Sequence, residues 1–219
     1  MSVDTQPTSI REARNRILSE IGSDVCLVAA SKRQPDGRID AALAAGQRVF
    51  GENRVQEAGA RWADRKLKRP DLHLRLIGPL QTNKAEEALS LFHVIETLDR
   101  EKLLKALIRA VEKTGVAPPD LLVQVNTGDE PQKGGVRVGD LESLLRKARE
   151  TYPGQVTGLM SIPPASESAA PHFALLKRLA DLSDLEVVSM GMSNDYALAA
   201  RLGATHIRVG TALFGARDT

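Results

Sequence analysis

The chain has 219 residues, 42% of them apolar and 26% charged, with a net charge of +2 and only 3% aromatics. This is the composition of an ordinary soluble globular protein with room for one sizeable core, as one large α/β domain or two small ones. The charge is too mild to indicate a nucleic-acid partner, and the single cysteine, Cys26, rules out an intramolecular disulfide.

The dense basic run Arg65-Lys66-Leu67-Lys68-Arg69 reads as a solvated helix end rather than a phosphate-backbone site. Met1 to Thr8 is polar, so no signal peptide is expected, and no apolar run approaches transmembrane length. A reducing cytoplasm is the expected setting, with no membrane contact. The four histidines, His73, His93, His172 and His206, are scattered without metal-ligand spacing, so no metal site is expected.

Residues 9–21 form an amphipathic helix, with Ile10, Ala13 or Arg14, Ile17, Leu18 and Ile21 on one face and Gly22 at its end. The first strand runs from Val25 to Ala30 and delivers Ser31 and Lys32 to its carboxyl end, before a turn through Gln34-Pro35-Asp36-Gly37. A short helix to Gly46 follows, then a strand over Val49-Phe50-Gly51-Glu52 ending at Asn53, and a helix over 54–67 with Trp62 on its buried face. The third strand is Leu72 to Gly78. Its loop offers Thr82 or Asn83 as cap for a helix over 84–91. His93 to Thr97 is the fourth strand, and Asp99 is the expected cap of the long helix behind it.

Leu121 to Asn126 is the fifth strand, followed by a glycine-rich loop from Gly128 to Gly139 and a helix through Leu141 to Ala148. Val156 to Ile162 is the sixth, with a helix over 168–182 behind it. Leu185 to Met190 is the seventh, running into Gly191-Met192-Ser193-Asn194, where Ser193 is expected to cap a helix over 194–202. His206 to Gly210 is the eighth, and Ala212 to Thr219 looks too short for a closing helix. Strands alternating with helices argue for a parallel sheet, and eight units favour an α/β (β/α)8 TIM barrel over a doubly wound open sheet. Residues 1–219 are then one barrel domain, and the extra N-terminal helix covers either the gap left by the missing last helix or the barrel bottom.

Active sites of such barrels lie at the carboxyl ends of the strands. Those ends hold Lys32, Asn53, Gly78 to Asn83, Thr97, Asn126, Ser161, Met192-Ser193-Asn194 and Gly210-Thr211. A lysine set against an apolar wall is a candidate Schiff-base nucleophile, with a solvated strand-capping lysine as the plain alternative. The turns at Gly191 to Asn194 and Gly210-Thr211 follow the last two strands, where this fold commonly binds phosphate at a helix N-terminus. Arg208 alternates with Ile207 and Val209, so if those face the helices it points into the barrel. There it needs a partner, either Glu52 or Glu96 or a cofactor ring nitrogen. Lysine, phosphate anchor and ring partner together suggest pyridoxal phosphate. An arginine donor would leave the ring nitrogen unprotonated and weaken the electron sink.

Several segments in order resemble the YggS/PROSC family of pyridoxal phosphate homeostasis proteins over nearly the whole chain. They are Val28 to Lys32, Phe50 to Glu57, Leu76 to Lys84, Gly158-Leu159-Met160, Ser189 to Ser193, and Arg208 to Gly215. The resemblance implies the alanine racemase barrel, a pyridoxal fold of the third type. It implies Lys32 as the aldimine lysine, Ser193, Gly210 and Thr211 as the phosphate grip, Arg208 at the ring nitrogen and Asn53 near the cofactor. Two positions depart from the pattern: Pro79, where the family commonly has histidine, and Thr82, often serine.

The resemblance further implies a binding and homeostasis role for pyridoxal 5'-phosphate without established catalysis, with apo-enzymes as candidate recipients. Racemisation needs a base on each face of the aldimine, and racemases bring a tyrosine from a second domain, whereas this chain is expected to end at the barrel. The two tyrosines are not expected to supply such a base: Tyr152 lies near a helix end away from the site, and Tyr196, in the helix after Ser193, reads as a packing or surface residue. A racemase-like pyridoxal enzyme and a cofactor-free lysine aldolase are the competing readings. The expected assembly is a monomer.

Overall fold

Nearly every strand of this chain is apolar on the face that meets the helices and mixed on the other, yet largely buried on both, which suits a parallel sheet covered by helices outside and closed on itself within. In the computed structural model residues 9–216 are described; the polar Met1 to Thr8 segment, with the signal-peptide reading placed on it, and residues 217–219 lie outside them. The strands are β1 (Cys26–Ala30), β2 (Val49–Glu52), β3 (His73–Leu76), β4 (Val94–Leu98), β5 (Asp120–Asn126), β6 (Val136–Arg137), β7 (Val156–Met160), β8 (Val187–Ser189) and β9 (His206–Val209). All pair in parallel, and the pairing of β4 with β5 closes the ring, which excludes the open doubly wound sheet. β6, inside the expected glycine-rich loop, is a two-residue addition that pairs with β5 outside the ring.

The helices are α1 (Ile10–Ile21), α2 (Asp36–Ala44), α3 (Val55–Lys68), α4 (Ala85–Leu91), α5 (Glu101–Thr114), α6 (Leu141–Thr151), α7 (Ala169–Leu182), α8 (Tyr196–Arg201) and α9 (Thr211–Phe214). Most of the core lies between strands and helices, around Phe50, Trp62, Leu74, Leu104, Phe173 and Ile207. A second, small apolar cluster of Val94, Leu122 and Met160, with Val187 against it, fills part of the barrel interior. A single helical turn, α9, does follow β9. The extra helix α1 packs against α9, α8 and α2, so it closes the gap in the helix ring rather than the barrel bottom.

Three expected caps are not made. Thr82 and Asn83 lie in a short 3-10 turn, and α4 begins after Lys84 with no side-chain cap. α5 begins after Arg100, and Asp99 pairs with the Arg100 side chain instead. α8 begins after Asp195, because that residue closes the preceding turn: its side chain accepts from Met192 N–H at 2.5 Å and its own N–H reaches the Met192 carbonyl. Ser193 is thereby released for a partner elsewhere.

Candidate functional site

The carboxyl ends of the strands surround a cavity of about 620 Å³, and all six residues singled out from the sequence line it: Lys32, Asn53, Ser193, Arg208, Gly210 and Thr211. Lys32 is set by the end of β1. The buried Ser31 donates its hydroxyl to Glu52 Oε1 at 2.7 Å and its N–H to the Gly51 carbonyl. Arg33 then takes a left-handed backbone (φ 58°), and Gln34 N–H returns to the Ser31 carbonyl. Lys32 therefore sits half-buried at the start of a tight turn between a fixed strand end and the cavity.

Asn53 follows β2, and its position is tied to Gly78. A Cβ at Gly78 would lie 2.2 Å from the Asn53 carbonyl oxygen, so only glycine lets the loop after β3 approach this closely. Thr97 holds Gly78 from the other side, donating its hydroxyl to the Gly78 carbonyl at 2.9 Å. At the far wall, Gly191 turns the chain out of β8 with φ 89°. The hydroxyl oxygen of Ser193 accepts from Gly210 N–H at 3.2 Å and from Ala212 N–H at 3.3 Å. With its lone pairs engaged, its remaining hydrogen-bonding function is a proton to donate.

Arg208 points into the barrel, as the alternation suggested, with Glu96 as its acid at 3.9 Å. Glu52 is not its partner. That side chain points outward to α3, where Oε1 accepts from Arg61 at 3.0 Å and from the Trp62 indole at 2.8 Å. Arg208 donates to Ser189 Oγ at 2.6 Å and to the Ser161 carbonyl at 2.8 Å. Burial alone would raise the Glu96 carboxyl, but the Arg75 and Arg208 guanidiniums, with hydrogen bonds from Ser189 and Arg75, outweigh it and hold it below the ordinary range. Burial lowers Arg208, against the opposing pull of Glu96 and Asp195.

Of the other strand-end residues, Met192 and Asn194 also line the cavity, whereas Thr97, Asn126 and Ser161 do not. Thr97 is spent on Gly78, and Asn126 closes its own loop through the Glu130 backbone. Ser161 contributes its carbonyl to Arg208. Of the two departures from the family pattern, Pro79 is exposed and Thr82 borders a separate depression between α4 and α5. Sequence reasoning missed Lys133 and Glu167, both of which line the cavity. Lys133 arrives from the glycine-rich loop and is held by Glu130 at 2.7 Å and the Pro163 carbonyl at 3.3 Å. Glu167 pairs with His172 at 3.1 Å. The glycines around Lys133 were the only local sign that this loop folds back.

Neither tyrosine reaches the cavity. Tyr152 donates to the Pro119 carbonyl at 2.7 Å, and burial raises its phenol. Tyr196 is bonded to Glu20 of α1, and burial together with that carboxylate raises it as well. Among the described residues no cluster of three or more acidic, histidine or cysteine side chains could hold a metal ion, and no helix is long and apolar enough to cross a membrane.

A family model described as alanine racemase, N-terminal domain, matches residues 10–218. The pyridoxal phosphate homeostasis protein of Pseudomonas aeruginosa is 40% identical over 199 residues, covering 89% of this chain and 85% of the relative. That of Aquifex aeolicus is 38% identical over 200 residues, covering 87% and 86%. The solved structure of PipY from Synechococcus elongatus with PLP bound is 39% identical, with a TM-score of 0.85 over 94% of this chain and 100% of that one. Alanine racemase from Clostridium difficile has a TM-score of 0.76 at 14% identity, over 97% of this chain and 58% of that one, a likeness of fold alone.

Proposed function

The chain belongs to the pyridoxal phosphate homeostasis proteins, and from that membership we propose that it holds pyridoxal 5'-phosphate in the cavity at the carboxyl end of its barrel. The chemistry of the donor set fits that group. Lys32 supplies a primary amine, which condenses reversibly with an aldehyde as one water leaves. Arg208 stays charged and can only donate, so a ring nitrogen facing it carries no proton. Ser193 has a hydroxyl proton to give to a phosphate oxygen, beside the first turn of α9 at Gly210 and Thr211. Asn53 lines the same cavity as a neutral contact. The cofactor, when bound, supplies an electrophilic aldehyde and a conjugated ring able to take up negative charge.

The single observation that carries the reading is the convergence of Lys32, Ser193 and Arg208 on one cavity in a chain of this family. Holding rather than turnover is supported by the tyrosines. Racemisation needs a second base opposite Lys32, and both phenols are engaged away from the cavity. On the same reading the chain works as one barrel domain, a monomer in the cytoplasm, with apo-enzymes as recipients of the cofactor.

The test is the absorbance spectrum of the purified protein before and after borohydride, with peptide mapping. The expected result is a coloured protein whose pyridoxyl mass is fixed on Lys32, and no fixed label in Lys32→Ala. A colourless protein that takes no label overturns the reading. Racemisation of free alanine at ordinary enzyme rates overturns the holding role in favour of a racemase.

A further inference from the structure

Behind Arg208 lies a run of buried polar side chains that cofactor binding alone does not explain. Ser189 and Glu96 are 0% exposed, Arg208 4% and Arg75 5%, all within the barrel. Ser189 Oγ lies 2.6 Å from Glu96 Oε2 and 2.6 Å from Arg208 Nη1. A carboxylate only accepts and a guanidinium only donates. The Ser189 proton must therefore go to Glu96, and its lone pair must take Arg208. Arg75 Nε fixes the other oxygen of Glu96 at 2.5 Å, and Arg208 Nη2 is tied to the Ser161 carbonyl at 2.8 Å.

Two contacts from different strands thus set the plane of the Arg208 guanidinium, and its remaining N–H groups are left for the cavity it lines. The charged groups around Arg208 are Glu96, Asp195 and Arg75. The ring of His206, on the same strand, is kept neutral, chiefly by burial and then by Arg75. Inside the barrel two guanidiniums therefore face one carboxylate. Arg75 Nη2 is buried without an acceptor among the described residues.

We propose that Ser189, Glu96 and Arg75 are positioning residues that fix Arg208 as a hydrogen-bond donor to the ring nitrogen of the bound cofactor, so that this nitrogen is held without a proton. The inference rests on the cofactor reading above and deepens it. A ring nitrogen held unprotonated is a weak electron sink, which suits a protein that keeps the cofactor rather than uses it.

The experiment loads wild type, Ser189→Ala, Ser189→Thr and Glu96→Gln with ring-labelled pyridoxal 5'-phosphate. It reads the ring nitrogen by nitrogen NMR across neutral pH, with the dissociation constant and the borohydride label on Lys32 alongside. In wild type the label is on Lys32 and the nitrogen signal stays that of an unprotonated ring. In Ser189→Ala the label stays on Lys32, affinity falls about tenfold, the size of one charge-assisted hydrogen bond, and the nitrogen protonates as pH falls. Ser189→Thr, which keeps the hydroxyl, restores the wild-type signal. Glu96→Gln behaves as Ser189→Ala does, and serves as the second variant should that one fail to fold. A labelled Ser189→Ala or Glu96→Gln with unchanged affinity and an unprotonated ring overturns the positioning role alone. A wild type that takes no label instead removes the cofactor reading beneath it.

Discussion

Glu52 holds three parts of the molecule through one oxygen. Its Oε1 accepts from the Ser31 hydroxyl, Arg61 and the Trp62 indole, while the side chain is 0% exposed. Removing it leaves a largely buried guanidinium, still bonded to the Ser31 and Gln34 carbonyls, without its counter-charge and an indole N–H without its acceptor. Glu52→Ala is expected to lose about 3 kcal/mol or more of stability, and Glu52→Gln, which keeps an acceptor, roughly half of that. Urea unfolding checks this, with the fluorescence of Trp62, the only tryptophan, as probe. Because Ser31 adjoins Lys32, the fixed label on Lys32 should fall in Glu52→Ala as well. The sequence offered Glu52 and Glu96 equally as partners for Arg208. Alternation in a four-residue strand does not say which parity faces inward, and Gly51, the inward residue, carries no side chain to reveal it.

At the scale of elements, strands were legible and caps were not. Strands announce themselves by local apolar runs, and every barrel strand lies where such a run stands in the chain. A cap is a competition between a side chain's own helix and whatever the fold brings near it. Ser193 illustrates the outcome: it bonds the backbone at Gly210 and Ala212 rather than that of α8. The loop after β3 is the element on which the site depends most narrowly. Gly78→Ala would set a Cβ 2.2 Å from the Asn53 carbonyl, with backbone on both sides and little room to give. Overpacking of this kind costs about 1–3 kcal/mol. The expected outcome is a thermal midpoint lowered by several degrees and weaker cofactor binding, since Asn53 must move. Gly37→Ala, whose Cβ meets nothing within 4 Å, is the control.

At the scale of the whole molecule, the amino-terminal end of the barrel predicts an acid sensitivity. His206 is pushed down to about 4, chiefly by burial, then by Arg75, with His73 and Arg208 adding and Glu96 opposing. His73 is likewise pushed down to about 4, by burial, then by His93 and Arg75. His93 accepts the Leu74 N–H on Nδ1 at 3.0 Å, which an imidazolium could not do. Unfolded, these rings titrate near 6.5, so between pH 6.5 and 4 the unfolded chain binds protons that the folded one refuses. The contribution is complete above pH 6.5, is lost as pH falls toward 4, and changes little below that. The slope is at most about 1.4 kcal/mol per pH unit for each histidine, and less for the part-exposed His73, which water screens. Urea midpoints measured from neutral pH down to pH 4 should fall along this slope, and the double variant His73→Gln/His206→Gln should flatten it.

The chain by itself determined the eight barrel strands, most of the helices between them, the barrel class, and the six residues placed around the cavity, though not β6 or α9. Each of these follows from signals within a few neighbouring positions: apolar period, turn residues, and a polar residue at the end of an apolar run. Only the tertiary structure decided that β4 meets β5 to close the ring, that Glu96 rather than Glu52 faces Arg208, and that Lys133 and Glu167 enter the cavity wall. Those are contacts between residues far apart in sequence. Their direction is set by register and by which face of a strand is inward, and no local pattern carries that information.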